Sequence, residues 1–179
     1  YHIPSEKTKL MNDGIPVSFV DEDNDMPMKP DGYGLAAWAV NKKGVYINDK
    51  YDIWYIAFDG SEKYIVTNGY GRVAHITLRY QNLQNANERN RKPLFLDESK
   101  RVILTAFNES TKENGFFELK GKRRDPKVIM MEPKTFKNLQ TSDDQKLFIY
   151  TKEDYANNPD LYLNTNTFKK EEKLSNLNP

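Results

Sequence analysis

A repeated strand–turn–strand pattern is the feature that most constrains how this chain can fold. Its clearest copy is residues 51–71, where an aromatic and β-branched run at 53–56 leads to an Asp-Gly pair at 59–60. A second run of the same type at 64–67 ends on Asn-Gly at 68–69. Two such runs separated by Asp-Gly are typical of a β-hairpin. The stretch is therefore predicted to be a hairpin with a turn signal after it.

The same order of short strand, polar turn and short strand recurs at residues 1–14, 115–133 and 160–179. The spacing averages roughly 40 to 50 residues, as expected for four-stranded propeller blades. No segment shows the pattern of an amphipathic helix of about ten residues or more. The predicted fold is all-β, a partial β-propeller of about three and a half four-stranded antiparallel blades. The predicted units are the end of one blade at 1–14 and three blades at 34–69, 72–132 and 134–179.

Composition excludes several function classes. The net charge of +1, from 27 basic and 26 acidic residues, gives no electrostatic case for binding nucleic acid or an anionic membrane. The absence of cysteine excludes disulfides, a thiolate nucleophile and cysteine-based metal sites, and nothing in the sequence requires a cofactor. No apolar run reaches the roughly 20 residues needed to span a bilayer. Because the chain starts at Tyr1 within a strand-like phrase, we expect an excised fragment or mature segment.

An acidic run at residues 21–25 is the one pattern that suggests a metal. Asp21, Asp23 and Asp25 have the 1-3-5 spacing of an EF-hand calcium loop. However, Met26 stands where that loop needs glycine, and Gly32 stands where it needs a bidentate glutamate. A solvated loop is the favoured interpretation over a calcium site, and no metal ligand is assigned.

Two tryptophans, Trp38 and Trp54, lie in predicted strands. They fit either a platform for carbohydrate or peptide, or the core of the sheets. Aromatic side chains bury about 150–250 Å² each and usually serve cores. Both are therefore predicted to be core residues.

The polar residues Arg72, His75 and Arg79 are the candidates for a functional surface. Residues 73–80 alternate as a strand that starts directly after Arg72, and this places His75 and Arg79 on one face. That face either lines the channel of the propeller or faces solvent, and the sequence favours neither.

Several ordered motifs together cover nearly the whole chain. They are Gly-Ile-Pro-Val-Ser-Phe at 14–19, the acidic run at 21–25 with Tyr-Gly-Leu at 33–35, Tyr-Asp-Ile-Trp at 51–54, Thr-Asn-Gly-Tyr-Gly-Arg at 67–72, Leu-Thr-Ala-Phe-Asn-Glu at 104–109, and Tyr-Thr-Lys-Glu at 150–153 with the segments at 158–162 and 174–179. These motifs resemble those of bacterial serine peptidases of the prolyl oligopeptidase family. The last of them, at residues 150–179, is similar to the final propeller blade of that family.

The resemblance implies a non-catalytic propeller that caps a C-terminal α/β-hydrolase domain carrying a Ser-Asp-His triad. The cap would gate the access of peptide substrates, with Arg72, His75 and Arg79 facing the cavity, and the enzyme would be periplasmic or extracellular. No catalytic residue is assigned, because the chain has no Gly-x-Ser-x-Gly elbow and its only histidines are His2 and His75. The paired glutamates by which dipeptidyl peptidases of this family hold a substrate amino terminus are not identified either, since Glu171-Glu172 is predicted to be surface.

A stand-alone propeller-like module that binds a protein or a glycan is the alternative. Such a module should close on itself, whereas residues 1–14 and the segment ending at Pro179 are predicted to complete different blades. An open arc exposes strand edges, and exposed edges pair with other chains. Self-association is therefore expected.

Overall fold

In a computed structural model of the protein, residues 8, 10–83, 93–121 and 125–177 are described. These residues form three sheets in which antiparallel pairing dominates and none of which closes on itself, so the fold is all-β. Within them, no helix combines the length and the apolar character that crossing a membrane demands. Much of the predicted strand pair at 1–14, part of the turn within the repeat at 115–133, and His2 lie outside the described residues.

The described residues contain thirteen strands and one short helix. In chain order these are β1 (Leu35–Ala39), β2 (Gly44–Asn48), β3 (Ile53–Ala57), β4 (Lys63–Ile65), α1 (Tyr70–Ala74), β5 (Ile76–Tyr80), β6 (Phe95–Leu96), β7 (Arg101–Asn108), β8 (Asn114–Lys120), β9 (Lys127–Glu132), β10 (Thr135–Thr141), β11 (Leu147–Glu153), β12 (Asp160–Thr165) and β13 (Glu172–Lys173).

The first sheet has the strand order β4-β3-β2-β1-β6. The hairpin predicted at residues 51–71 is confirmed as β3 and β4, which pair antiparallel with Tyr55 opposite Tyr64. Its turn is closed by the Gly60 amide, which donates to the Ala57 carbonyl at 2.9 Å. Asp59 accepts the next amide along, from Ser61, at 2.9 Å. The local turn chemistry thus sets this part of the sheet.

Strand β6 lies in an unexpected sheet. The segment 94–96 was predicted within the unit 72–132, but β6 runs parallel to β1, with Trp38 opposite Phe95 and Ala39 opposite Leu96. This placement buries Leu96 almost completely. Burial of an apolar side chain against β1 provides a physical reason for the chain to return to the first sheet.

The other two sheets are antiparallel meanders, one with the order β5-β7-β8-β9 and one with the order β10-β11-β12-β13. The second sheet is the middle layer, because its two faces contribute to two different buried clusters. Adjacent residues of β8 show this directly: Phe117 belongs to the cluster shared with the first sheet, and Phe116 to the cluster shared with the third. Successive side chains of a strand point to opposite faces, which accounts for the division.

The prediction of a strand over residues 73–80 is wrong at its start. Residues up to Ala74 form α1, and the strand begins only at Ile76. Between them His75 adopts the left-handed conformation, with φ of 54°. Within α1, Val73 is 86% exposed. The alternation that suggested a strand is real from Ile76 onward, but a buried carboxylate, described below, stabilises a helical turn before it.

The two tryptophans differ. Trp54 is buried, as predicted, and its ring meets Phe19 edge-on with ring centres 6.2 Å apart. The core prediction for Trp38 is wrong, since this side chain is 39% exposed and lies against Phe58 at the surface. Trp38 is on the face of β1 opposite the neighbouring alanines Ala37 and Ala39, which are buried in the cluster shared with the second sheet.

Candidate functional site

The three candidate residues lie around one short turn, residues 49–52, which precedes β3. They are Arg72, His75 and Arg79. The guanidinium of Arg72 lies 5.3 Å from the centre of the Tyr51 ring, and the His75 ring meets that ring edge-on at 5.8 Å. Arg79 donates from Nη2 to a backbone carbonyl of the turn at 3.0 Å. The structure therefore brings all three together, although the turn was not among the predicted site residues.

The turn is shaped by Asp49. Its Oδ1 accepts the backbone amides of Tyr51 and Asp52, both at 2.7 Å, and its Oδ2 accepts the indole N–H of Trp54 at 2.9 Å. An aspartate that accepts amides two and three residues ahead is a common local device for reversing the chain. Asp49 is almost fully buried, so each of these bonds satisfies a group that water does not reach.

Asp52 connects the turn to α1. Its carboxylate accepts the hydroxyl of Thr67 at 2.6 Å and the amides of Gly71 and Arg72 at 3.0 and 2.9 Å. Burial raises the pKa of Asp52, and these three hydrogen bonds oppose that rise. Because two amides of α1 bond to this carboxylate, it provides the physical reason for a helix where alternation predicted a strand.

The second sheet contributes Glu109, which follows β7. Its carboxylate accepts the Tyr51 hydroxyl at 2.9 Å and the Thr77 hydroxyl at 3.4 Å. The Leu78 amide also donates to the Tyr51 carbonyl at 2.8 Å. The first and second sheets are thus fastened by one set of polar contacts, which we call the polar joint: Asp49, Tyr51, Asp52, Thr67, Arg72 and Glu109.

Gly71 is packed so closely in the polar joint that no side chain fits. A Cβ atom there would lie 2.7 Å from the carbonyl oxygens of both Tyr51 and Ile76, and 3.0 Å from the Asp52 carboxylate. Two of these three neighbours are backbone atoms, which cannot rotate away. Glycine is therefore required here for close approach of the chain.

Gly71→Ala is expected to lower the free energy of unfolding by about 2 kcal/mol, because the added methyl group forces the backbone of the polar joint apart. Urea denaturation followed by tryptophan fluorescence measures the change. Gly32→Ala is the matched control, since its Cβ would meet nothing closer than a carbonyl oxygen at 3.4 Å. Equal stability of the two variants would contradict the close packing at Gly71.

Arg72 keeps hydrogen-bonding capacity that the joint does not use. Its Nη2 is buried and has no hydrogen-bond partner within the described part of the chain. The nearest carboxylates are Asp49, 3.5 Å from Nη2, and Glu22, 3.9 Å from Nη1, and the side chain is 38% exposed. At such distances the charges attract, but hydrogen bonds are weak or absent. Arg72 therefore combines a buried donor that is unpaired among the described residues with a partly exposed side chain.

Arg79 and His75 differ from Arg72. Both Nη atoms of Arg79 donate to backbone carbonyls, those of Leu78 at 2.8 Å and Lys50 at 3.0 Å. Burial lowers the pKa of Arg79, and the nearby charge of Asp49 opposes that effect. His75 ends α1 and is exposed. Arg79 thus supports the joint, whereas His75 places an exposed imidazole at its edge.

The acidic run engages the protein rather than converging on one point. Asp21 accepts the amide of Asp23 at 3.0 Å, and Asp23 pairs with Lys50 at 2.8 Å. The pKa of Lys50 is raised, chiefly by that hydrogen bond. Across residues 10–83, 93–121 and 125–177, no three His, Asp or Glu side chains form a group that could hold a metal ion.

The adjacent residues Glu171 and Glu172 have different surroundings. Glu171 accepts the Tyr150 hydroxyl at 2.6 Å and pairs with Lys152 at 2.5 Å, whereas Glu172 lies exposed in β13. The surface prediction thus describes Glu172 well. Glu171, although exposed as a residue, instead holds two buried side chains of β11 in place.

The sequence contains a local signal for part of the polar joint. Asp49 and Asp52 lie just before β3, and aspartates in that position often organise the turn before a strand. Glu109 carried no such local signal, because its partner Tyr51 is 58 residues away.

Neither a family model nor a curated protein matches the chain significantly. The fold and the site define a class of protein: an all-β chain of open, mainly antiparallel sheets, the first two of which are fastened by a buried polar joint beside a partly exposed arginine.

Proposed function

We propose that this chain is the propeller portion of a serine peptidase of the prolyl oligopeptidase family, where it caps a C-terminal α/β-hydrolase domain and gates the access of peptides. The cap admits short or unfolded peptides and excludes folded proteins on steric grounds. The catalytic triad belongs to the hydrolase domain, so no residue of this chain acts on the scissile bond.

The observation that carries this proposal is where the resembling motifs meet. Five of them lie far apart in the sequence, at 14–19, 33–35, 51–54, 67–72 and 104–109, yet each contributes to the polar joint or contacts a side chain that bonds to the 49–52 turn. Phe19 packs on Trp54, Tyr33 lies beneath the Arg79 guanidinium, and Glu109 bonds to Tyr51. Motifs that converge on one structural feature support a common origin better than scattered matches do.

Within this proposal, Arg72 is the residue that contacts the peptide. Its side chain is 38% exposed, and carbonyl or carboxylate oxygens of a peptide are suitable acceptors for a guanidinium. His75 lies at the edge of the same surface, and Arg79 holds the 49–52 turn in position.

The proposal is tested on the complete gene product. We expect its coding sequence to contain a Gly-x-Ser-x-Gly elbow followed by Asp and then His, and the purified protein to be labelled by a fluorophosphonate probe. It should cleave short peptides and leave a folded protein of the same composition intact. A gene product without these residues, and without labelling, would refute the peptidase proposal and leave the alternative of a binding module.

Arg72→Gln in the complete enzyme is expected to lower kcat/KM on short peptides about tenfold, mainly through a higher KM, because a charge-assisted hydrogen bond to the peptide is lost. Lys146→Gln removes one positive charge at an exposed position and is the control. Kinetics on peptides of graded length measure both. If the two variants match the wild type at every length, Arg72 does not contact the peptide.

Two further parts of the proposal concern assembly and location. Among the described residues, the short strands β4 and β13 are edges of open sheets, and we expect such edges to pair with another copy of the chain. Sedimentation velocity at increasing concentration measures this, and a strictly monomeric chain would count against it. The enzyme is proposed to act in the periplasm or outside the cell.

A further inference from the structure

A cavity of about 330 Å³ lies at the end of the first sheet remote from the polar joint, where β6 and the residues after it pack beside β1 to β4. Its floor is buried and includes Ala39, Leu96 and Glu98, while Val40, Asn41 and Ser99 at its rim are exposed. The size is within the range of small-molecule sites. None of the polar joint residues lines this cavity.

The floor holds a carboxylate that is only half satisfied. Glu98 is 7% exposed, and its Oε1 accepts the hydroxyls of Tyr46 at 2.8 Å and Tyr64 at 2.5 Å. Its Oε2 is buried and has no hydrogen-bond partner within the described residues. Leaving a buried carboxylate oxygen without a donor is costly, and such a group is usually paired with a cation or another donor.

The two tyrosines cannot themselves relieve this cost. Burial, and then the hydrogen bond to Glu98, raise the pKa of Tyr46 and of Tyr64. Both therefore stay protonated and donate to Oε1, and neither has a second proton for Oε2.

Aromatic rings form the wall above Glu98. The ring centre of Tyr55 lies 5.3 Å from that of Tyr46 and 5.0 Å from that of Tyr64. The Tyr55 ring lies directly over Gly44, where a Cβ would come within 2.5 Å of it. The faces of such rings carry negative potential and attract cations.

The charged residues that line the cavity are all acidic. Three carboxylates line the cavity, those of Glu62, Asp97 and Glu98, and no Lys or Arg is found among its described lining residues. Hydrogen bonds from Ser99 hold the pKa of Asp97 below its usual value, so this carboxylate is charged at neutral pH. Lys100, which is outside the lining, lies 4.0 Å from Asp97, while the lining itself is acidic and aromatic.

We propose that this cavity binds an organic cation, an alkyl ammonium or guanidinium group that donates to Glu98 Oε2 and lies against the ring of Tyr55. The ligand is either a free amine or a lysine or arginine side chain of a peptide, since both present the same chemistry. This site is separate from the polar joint, and its test does not depend on the peptidase proposal.

The test uses the whole chain and two small probes, n-butylamine and its neutral counterpart 1-butanol, titrated by calorimetry at neutral pH. We expect n-butylamine to bind more tightly than about 10 mM and 1-butanol to bind at least tenfold more weakly. Glu98→Gln should weaken n-butylamine binding at least tenfold. Equal binding of the two probes, or no binding of n-butylamine, would overturn the proposal.

A second variant keeps the test valid if Glu98→Gln does not fold. Asn41→Lys at the exposed rim places a tethered ammonium beside the cavity and leaves Glu98 in place, so it should compete with n-butylamine and weaken its binding at least tenfold. Tyr155→Lys adds the same charge at a fully exposed position in the loop between β11 and β12 and should bind like the wild type. If Asn41→Lys also binds like the wild type, the site is wrong.

The source of the cation is distinguished by a peptide arm. Acetyl-Ala-Lys-Ala-amide is compared with the same peptide in which norleucine replaces lysine. Binding of the lysine peptide alone shows that the cavity accepts a peptide side chain. Binding of n-butylamine without binding of either peptide shows a site for free amines.

Discussion

Phe116→Ala and Phe117→Ala are each expected to lower the free energy of unfolding by about 3–5 kcal/mol, although they damage different parts of the molecule. Phe116 is 2% exposed and packs with Phe136, Tyr150 and Phe168, with ring centres 5.3 to 6.1 Å away. Phe117 is fully buried and lies 5.6 Å from the Tyr70 ring. Each replacement leaves a large cavity in one of the two clusters.

The difference between the two variants is visible in hydrogen exchange. Phe116→Ala should expose the amides of β10 to β12 to exchange first, and Phe117→Ala those of β1 to β3, since each cluster joins the middle sheet to one neighbour. Urea denaturation gives the total loss of stability. Phe107→Ala, at a partly exposed position of the same sheet, should cost no more than about 1 kcal/mol and serves as the control. The same exchange pattern in both variants would show that the clusters do not divide the protein in this way.

Asp52→Ala is expected to lower the free energy of unfolding by about 3 kcal/mol, because it leaves three donors without their acceptor. These are the Thr67 hydroxyl and the amides of Gly71 and Arg72, and the two amides belong to α1. The loss of helical signal is too small to follow in a five-residue helix, so urea denaturation and hydrogen exchange of the Gly71 and Arg72 amides are the measurements.

Two comparison variants sharpen this test. Asp52→Asn keeps one acceptor oxygen but turns an amide group toward a backbone N–H, so it should lose less stability than Asp52→Ala, about 1–2 kcal/mol. Asp144→Ala removes an exposed carboxylate that accepts two bonds in a surface turn, and it should cost less than about 1 kcal/mol. If Asp52→Ala and Asp144→Ala are equally mild, the polar joint does not depend on Asp52.

Strands and turns were predictable wherever their signal is local. The hairpin of β3 and β4, the long strand β7 and the hairpin of β8 and β9 all match runs of apolar residues bounded by turn residues. In each case the side-chain period of two and the chemistry of the turn are contained within one short segment. The arrangement of these sheets as propeller blades stays a proposal, because three open sheets do not establish it.

Errors arose where a distant group overrides the local pattern. Residues 73–75 alternate like the start of a strand, but the Asp52 carboxylate, about 20 residues earlier in the chain, holds the first amides of α1. Likewise, β6 looked like part of the unit 72–132, but its partner β1 lies more than 50 residues before it. Alternation within a segment carries no information about such partners.

The candidate site was predictable only in part. Arg72, His75 and Arg79 were chosen for their residue types on a predicted strand, and they do meet, but around Tyr51 rather than on one strand face. Which arginine retains free donors depends on the positions of Asp49 and Glu22, which the sequence did not reveal. The cavity at Glu98 likewise requires three tyrosines from β2, β3 and β4 to lie beside a residue that follows β6.

The sequence by itself determined that this protein is all-β, built of short strands and tight turns, because side-chain alternation and turn chemistry act over a few residues. It also carried the motifs on which the peptidase proposal depends. The tertiary structure alone decided that five of the motifs meet around one polar joint, that α1 replaces the start of a strand, and that a half-satisfied carboxylate faces an acidic, aromatic cavity. These features arise from contacts between residues 15 to 58 positions apart, and only the folded chain brings such residues together.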